Sequence, residues 1–393
     1  MKRLRKIIFW CHLPIGVIGG VIILIMCVTG VLLAYEKQIT LWADMRNYEA
    51  AAPSPEATRL PLDILLSKTR EARNTEPTAI TLRSTHPAIA EISLGREGRL
   101  FVNSYTGNAL GEGSRGVRSF FRSVTDWHRW LGAQGENRNL ARAITGACNI
   151  GFLFLVISGF YLWWPQRWSR KALRNITWFR TGLPPKGRNF NWHNTIGFWS
   201  AVPLFIVVLS GVVISYTWAG NLVYRIVGET PPAPRQANAN PGATKPATAP
   251  AVPALTLDAL WARAEQQVSG WQSITLQLSP SGDAPLNFAI DSGTGGQPQK
   301  RAQLVLDRKT GEVVRFEPFS TYSTGRQLRS ILRFAHTGEV IGLFGQTIAG
   351  VVSLGGAFLV WTGLALALRR LRGWRERRSR KVSDELGVTN PVV

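Results

Sequence analysis

Histidines are the residues in this chain best suited to chemistry, and four of the five share one setting. His12, His128, His193 and His336 each stand at the amino-terminal side of a long apolar stretch, whereas His86 lies beside Pro87 in a polar loop and reads as a surface residue. Two imidazoles on different helices, facing each other across an apolar bundle, make the axial pair of a b-type haem, with one nitrogen given to iron from each side. Zinc or non-haem iron would want more ligands at each level, acids or thiolates among them. The centres of the stretches contain no acid, and Cys11 beside His12 has no thiol partner at its level. A flat macrocycle also needs close approach between helices, which small residues supply. Gly16 and Gly197 follow their histidines by one turn, and Gly146, Gly151, Gly350 and Gly355 occupy the other two stretches. Tyr35 and Tyr216, at the far ends, can hydrogen-bond a propionate or a substrate, or sit in an aromatic belt.

The elements that must position these residues are the apolar stretches themselves: residues 7–35, 144–164, 196–218 and 340–368. Each supplies the ~20 apolar residues that a helix needs to cross a bilayer. The formal net charge of +22 is concentrated beside them. Basic residues crowd the N-terminus (Lys2, Arg3, Arg5, Lys6), the segment 165–190 (Arg167 to Arg188, without an acid) and the tail from Arg369 to Lys381. Four crossings put all three on one side, and the positive-inside rule makes that side the cytoplasm of a bacterial inner membrane. Lipid therefore accounts for the charge, and no nucleic-acid partner is expected. The first stretch is too long for a signal-peptide core and no small-x-small site follows it closely, so it reads as retained. Three cysteines, Cys11, Cys27 and Cys148, lie in or beside the stretches, and the segments facing outward have none, so no disulfide framework is expected there. The topology sorts the histidines into two layers. His12 and His193 fall at the cytoplasmic end and His128 and His336 at the outer end, which implies two haems b stacked as a wire. Which histidine faces which stays open.

The chain also repeats itself. His12, Gly16, Thr29-Gly30 and Tyr35 match His193, Gly197, Ser210-Gly211 and Tyr216 at an offset of 181. Gly146, Gly151 and Ser158-Gly159 match Gly350, Gly355 and Thr362-Gly363 at an offset of 204. Outside the membrane, Leu60-Pro-Leu-Asp63 resembles Leu255-Thr-Leu-Asp258, and each opens a helix (63–73, 258–268) followed by three short strands (78–82, 90–94, 99–103; 272–278, 286–290, 302–307) and a Thr-Gly turn. The expected fold is thus an α-helical membrane protein whose four transmembrane helices form a tandem parallel repeat, with two small α+β outer domains. Its boundaries are helix 1 at 7–35, outer domain 1 at 45–115, an interfacial helix and helix 2 at 117–164, a basic loop at 165–190, helix 3 at 193–218, a Pro/Ala-rich linker at 231–253, outer domain 2 at 254–320, an interfacial helix and helix 4 at 327–368, and a basic tail at 369–393. The interfacial segments carry one apolar face (Val117, Phe121 and Val124 in the first; Leu328, Ile331 and Leu332 in the second) that includes the outer histidines.

As a set, His12-Leu-Pro-Ile-Gly16, Trp127-His128-Arg-Trp-Leu-Gly132, Trp192-His193-Asn-Thr-Ile-Gly197 and Phe334-Ala-His336-Thr-Gly338 resemble the PepSY-associated transmembrane family of iron-regulated inner-membrane proteins. The two outer domains resemble PepSY modules. Some members of that family are ferric-siderophore reductases of the ferrioxamine type. The resemblance implies a haem-ligand role for His12, His128, His193 and His336, and reduction of a periplasmic Fe(III)–siderophore. This chain departs in one spacing: 30 residues separate His128 from Ser158, against 26 between His336 and Thr362. No G-x-G-x-x-G or Walker A sequence is visible, so electrons must come from a quinol or a cytoplasmic reductase. Two other functions fit the same pattern. One is a permease for an iron–siderophore complex, hinted at by Pro203 and by Gln346, which reads as near-surface. The other is a haem-containing envelope binding or regulatory module.

Overall fold

Long apolar runs leave their backbones one economical state in hydrocarbon, a helix that satisfies its own hydrogen bonds. The computed structural model, which describes residues 2–54, 56–165, 169–233, 255–279 and 284–385, has four helices long and apolar enough to cross a membrane. They are α1 (Lys2–Leu33), α5 (Asn137–Trp163), α7 (Pro185–Ser215) and α11 (Gly342–Glu385). Each packs against two of the others, α1 on α5 and α11, α7 on α5 and α11, closing a four-helix ring. Ile23, Cys27, Phe152, Leu204, Val208, Val352 and Ala357 fill its centre, an apolar plug without a charge. Both termini leave from one end of the ring, here the terminal end. The other, the sheet end, carries the extra-membrane structure.

Short helices collar the sheet end. After α1 comes α2 (Glu36–Met45), and after α7 comes α8 (Thr217–Ile226), neither expected from sequence. The interfacial helices α4 (Arg115–Trp130) and α10 (Thr324–Ala335) lie against them, begun by Ser114 and Ser323, whose hydroxyls accept from the backbone N–H of Val117 and Arg326. Such a cap is worth about 1 kcal/mol. At the terminal end, α6 (Arg170–Thr177) occupies part of the basic loop, and Asn191 of α7 ties down its exit by donating to Asn175 and Trp178 carbonyls. Gln346 is buried rather than near the surface. It donates to the Ala34 carbonyl at 2.8 Å, because a polar amide between helices must find a partner.

The outer segments form the expected helices, α3 (Leu62–Arg73) and α9 (Leu257–Gln267), but they do not stand as two separate bodies. One antiparallel eight-stranded sheet runs through both, in the order β4-β3-β2-β1-β5-β6-β7-β8. Its strands are β1 (Ala79–Arg83), β2 (Ile89–Ser93), β3 (Arg99–Asn103), β4 (Ala109–Gly111), β5 (Ser273–Gln277), β6 (Leu286–Asp291), β7 (Arg301–Leu306) and β8 (Val313–Pro318). The seam is β1 against β5, where Ile80 faces Leu276 and the hydroxyls of Thr81 and Thr275 meet at 2.8 Å. A strand edge left bare would invite pairing with another chain, and this pairing removes one edge from each half. Alternate residues of β1 and β5 point into a single core with Leu65, Leu260, Trp261 and Phe288. The helices cap each other: Asp258 accepts from the Leu62 N–H at 3.1 Å and Asp63 from the Leu257 N–H at 3.3 Å. β4 and β8 were not foreseen; β4 has only three residues, and both are edge strands that begin just after a Thr-Gly turn. Most of the Pro/Ala-rich linker, residues 234–253, and the end of the tail lie outside the described residues.

The sheet is fixed to the bundle by a few buried charges. Asp44 of α2 accepts from the Ser114 N–H and pairs with Arg118, while buried Glu339 pairs with Lys37 at 2.5 Å. The seam is directly testable. Cysteines at both positions (Thr81→Cys with Thr275→Cys) should form an intramolecular disulfide on mild oxidation, seen as a faster-migrating band that reductant abolishes. Two free thiols after oxidation would show that the halves are not joined this way.

Candidate functional site

An imidazole inside an apolar bundle has an N–H that must be satisfied, and the chain supplies a partner for each of the four histidines from a neighbouring helix. His12 of α1 meets Ser158 of α5 at 2.8 Å, and His193 of α7 meets Thr362 of α11 at 2.9 Å. His128 of α4 meets Thr29 of α1 at 2.9 Å, and His336, which caps α10, meets the Val207 carbonyl of α7 at 2.9 Å, with the Ser210 hydroxyl at 3.5 Å. Every one of these contacts is made through Nδ1.

The partners decide the tautomer. The hydroxyl of Ser158 donates to the Phe154 carbonyl at 2.6 Å, that of Thr29 to Ile25 at 2.6 Å and that of Thr362 to Phe358 at 2.7 Å. A hydroxyl with its hydrogen committed can only accept. A carbonyl, as at Val207, can only accept as well. All four rings are therefore Nδ1–H tautomers, and the lone pair sits on Nε2. Among the described residues no hydrogen bond engages any of those four Nε2 atoms.

The glycine after each hydroxyl residue completes the seat. A Cβ on Gly159, Gly363, Gly30 or Gly211 would lie 3.5, 3.4, 3.8 or 3.2 Å from Cε1 of His12, His193, His128 or His336. The Ser/Thr-Gly pairs seen in the sequence as matching positions are thus the places where the imidazoles rest. Nothing in the spacing alone joined them to the histidines, since His12 and Ser158 lie on different helices.

The rings fall at two depths. His128 and His336 come together at the sheet end with ring centres 6.2 Å apart and planes at 58°. The difference between the 30- and 26-residue spacings comes mainly from where each histidine stands: His128 lies inside the last turn of α4, whereas His336 lies just past the end of α10, and the connections 131–136 and 336–341 are equally long. His12 and His193 lie at the terminal end, within electrostatic range of each other. From His12 to Thr29 along α1 is roughly 26 Å at 1.5 Å per residue. Among the described residues no group of three or more His, Cys, Asp or Glu side chains gathers as a metal cluster.

Other expected site residues are placed as follows. Gly16 and Gly197 face Leu155 and Leu359 of the adjoining helices, 3.8 and 3.6 Å from where a Cβ would stand, so what they provide is close helix–helix contact. Tyr35 bonds the Thr347 hydroxyl at 2.6 Å, and the Tyr216 hydroxyl lies against Gly146. His86 is exposed, and its ring meets the Thr85 hydroxyl at 2.9 Å. Sequence reasoning missed Asn149, buried beside Gly211 and donating to the Val208 carbonyl, and an arginine group at the sheet end.

The seats respond to small changes in volume. Gly211→Ala would place its methyl 2.9 Å from the Asn149 amide and 3.2 Å from the His336 ring, and it should cost about 1–3 kcal/mol, read as a lowered melting temperature in detergent. Gly159→Ala, with 3.5 Å available, should be close to neutral in the same assay. Equal effects would contradict the seating described.

A comparison with curated proteins gave no match. The description of one family, the PepSY-associated TM region, covers residues 9–370, which takes in all four apolar helices, all four seated histidines and the sheet between them. The chain belongs to the PepSY-associated TM region family and is a membrane protein of four apolar helices.

Proposed function

We propose that the protein is a haem b reductase of the bacterial inner membrane, with both termini in the cytoplasm and the sheet in the periplasm, acting on an Fe(III)–siderophore outside. The observation that carries this reading is the common state of four imidazoles, each anchored at Nδ1 and open at Nε2, in two pairs at two depths of a bundle whose centre holds no acid. An anchored Nδ1–H is the arrangement that orients a metal-bound histidine and raises its basicity. With imidazole–metal bonds of about 2.0 Å, two rings across one iron have their centres roughly 6 Å apart, close to the 6.2 Å between His128 and His336. Two side-chain ligands are too few for a bare ion, and a haem brings its own nitrogens. His128 with His336 and His12 with His193 would hold two such groups.

When bound, each haem would supply a one-electron iron couple. The chain's own work is to hold and insulate. The Ser/Thr hydroxyls and the Val207 carbonyl fix the rings, the glycines let them approach the helices, and the Ile23–Phe152–Leu204 plug keeps water from the span between the layers. The donor is a quinol or a cytoplasmic reductase. A cavity of about 580 Å³ beside His193, lined by Phe179, Leu183, Arg188, Trp192 and Phe358, suits a flat ring there.

We also read the bundle as two copies of one helix pair. A Cβ on Gly151 would lie 3.3 Å from Ile15 where one on Gly355 would lie 3.4 Å from Ile196, neighbours at the same two sequence offsets. On that reading each α+β half is a PepSY-like module fused at β1–β5. The permease alternative draws no support from Pro203, since α7 runs through it unbroken.

Purified from haem-supplied cells, the protein should show a Soret band and extract as two haems per chain; a featureless spectrum would sink the proposal. His12→Ala and His336→Ala should each remove roughly half of the haem, and joint loss in either variant would argue against two layers. Ser158→Ala and Thr362→Val, which keep the histidines but remove the Nδ1 acceptors, should weaken haem retention by about 10–100-fold in a transfer assay to apomyoglobin. Chelate uptake that persists in a haem-free variant would favour a permease.

A further inference from the structure

Cations from both halves of the chain converge on the outer imidazole pair, with few acids to answer them. Arg326, Arg329 and Arg333 repeat along α10 at spacings of three and four, which puts them on one face, and all three line a cavity of about 360 Å³ together with Tyr224, Tyr322 and Ser330. The floor of the cavity includes Val213 and Ile214, just past the Gly211 that seats His336. Among the described residues no carboxylate lines it. Arg326 has Glu317 at 3.6 Å and stacks on Tyr322, but among the described residues neither Arg329 nor Arg333 pairs with an acid. From the other half comes Arg129, next to His128. It lies within electrostatic range of Arg142, Arg333 and Arg138. Asp126, the acid that opposes them, is shared with Arg138 at 3.3 Å.

Like charges brought together in a low-dielectric site repel, and the repulsion is relieved when an anion sits among them. Guanidinium groups bind carboxylate and catecholate oxygens through paired N–H donors, and the two tyrosines and Ser330 add neutral donors. The cavity has the size of a small-molecule site. We infer that this arginine cavity is the substrate site beside the outer histidine pair, and that it selects a net-anionic ferric chelate, ligated through carboxylate or catecholate oxygens, over a net-cationic hydroxamate. The inference rests on the reductase reading for its consequence, but the binding it describes does not require electron transfer. Haem propionates and lipid phosphates offer the same oxyanion chemistry, so the test must separate them.

Gallium(III) chelates are redox-inert, so their binding is decided whether or not the reductase reading survives. Binding of a gallium tris-catecholate and of a gallium trihydroxamate bearing a free ammonium should be measured on the full chain in phosphatidylcholine nanodiscs, with haem content read from the Soret band. The catecholate should bind at least about tenfold more tightly, and its binding should weaken as salt rises. Arg326→Gln with Arg329→Gln should abolish that preference, losing about tenfold or more for the anion while haem content stays at the wild-type level. The Lys pair at the same positions should restore most of the binding, which separates lost charge from lost folding. Four results would overturn the inference: equal or tighter binding of the cationic chelate by the wild type, unchanged anion binding in the Gln pair, loss of haem from that pair without loss of chelate (arginines serving propionates), or anion binding abolished by exchanging phosphatidylcholine for phosphatidylglycerol (arginines serving lipid). A wild-type protein without haem that still prefers the anion would remove the reductase reading and leave the binding site standing.

Discussion

A neutral imidazole placed among apolar helices has one hydrogen to give and one lone pair to offer, and both must be accounted for where no water is at hand. Here the hydrogen is dealt with identically four times. A Ser or Thr hydroxyl, already committed to its own helix at the carbonyl four residues back, takes the Nδ1–H of His12, His128 and His193, and the Val207 carbonyl takes that of His336. Much of the bundle follows from this constraint. The hydroxyl must come from a different helix, so helices have to be close. The residue after it is glycine in all four seats, and at Gly211 a methyl would press on the ring. The ring must arrive at the right depth, so α4 and α10 have to lie on the bundle before α5 and α11 begin.

The two outer histidines depend on structure outside the membrane as well. Both sit at the ends of interfacial helices, and those helices are held at their far ends by the collar: Asp44 of α2 with Arg118 on one side, Glu229, just past α8, with Ser323 and Gly325 on the other. α2 packs on the sheet through Leu41 and Met45, with Tyr48 just past it, against Ile89 and Phe101, and the sheet runs through both halves as one unit. That is a physical reason for the halves to share a seam. Two independent modules could drift relative to each other, and a ring separation of 6.2 Å would not survive much drift.

What the sequence determined by itself is what local composition can determine. Uninterrupted apolar length made the four helices, since no other backbone state is tolerable in hydrocarbon, and alternation with flanking turns placed six of the eight strands. Four histidines, each at the amino-terminal side of an apolar stretch, identified the residues of interest, and topology alone divided them into layers. What only the tertiary structure decided is everything that depends on one segment meeting another far away in the chain. The partner of His12 is 146 residues distant, and the pairing of Ser/Thr-Gly with histidine becomes visible only when α1 lies on α5. The tautomers follow from those partners and so could not be read earlier. Whether the outer segments were two bodies or one turned on a single edge pairing, β1 with β5, which strand propensity cannot specify because any open edge will accept a strand. Gln346 reads as a surface amide until the Ala34 carbonyl appears beside it. Residue types fixed what chemistry was available, and through-space geometry selected which nitrogen of each ring is free to perform it.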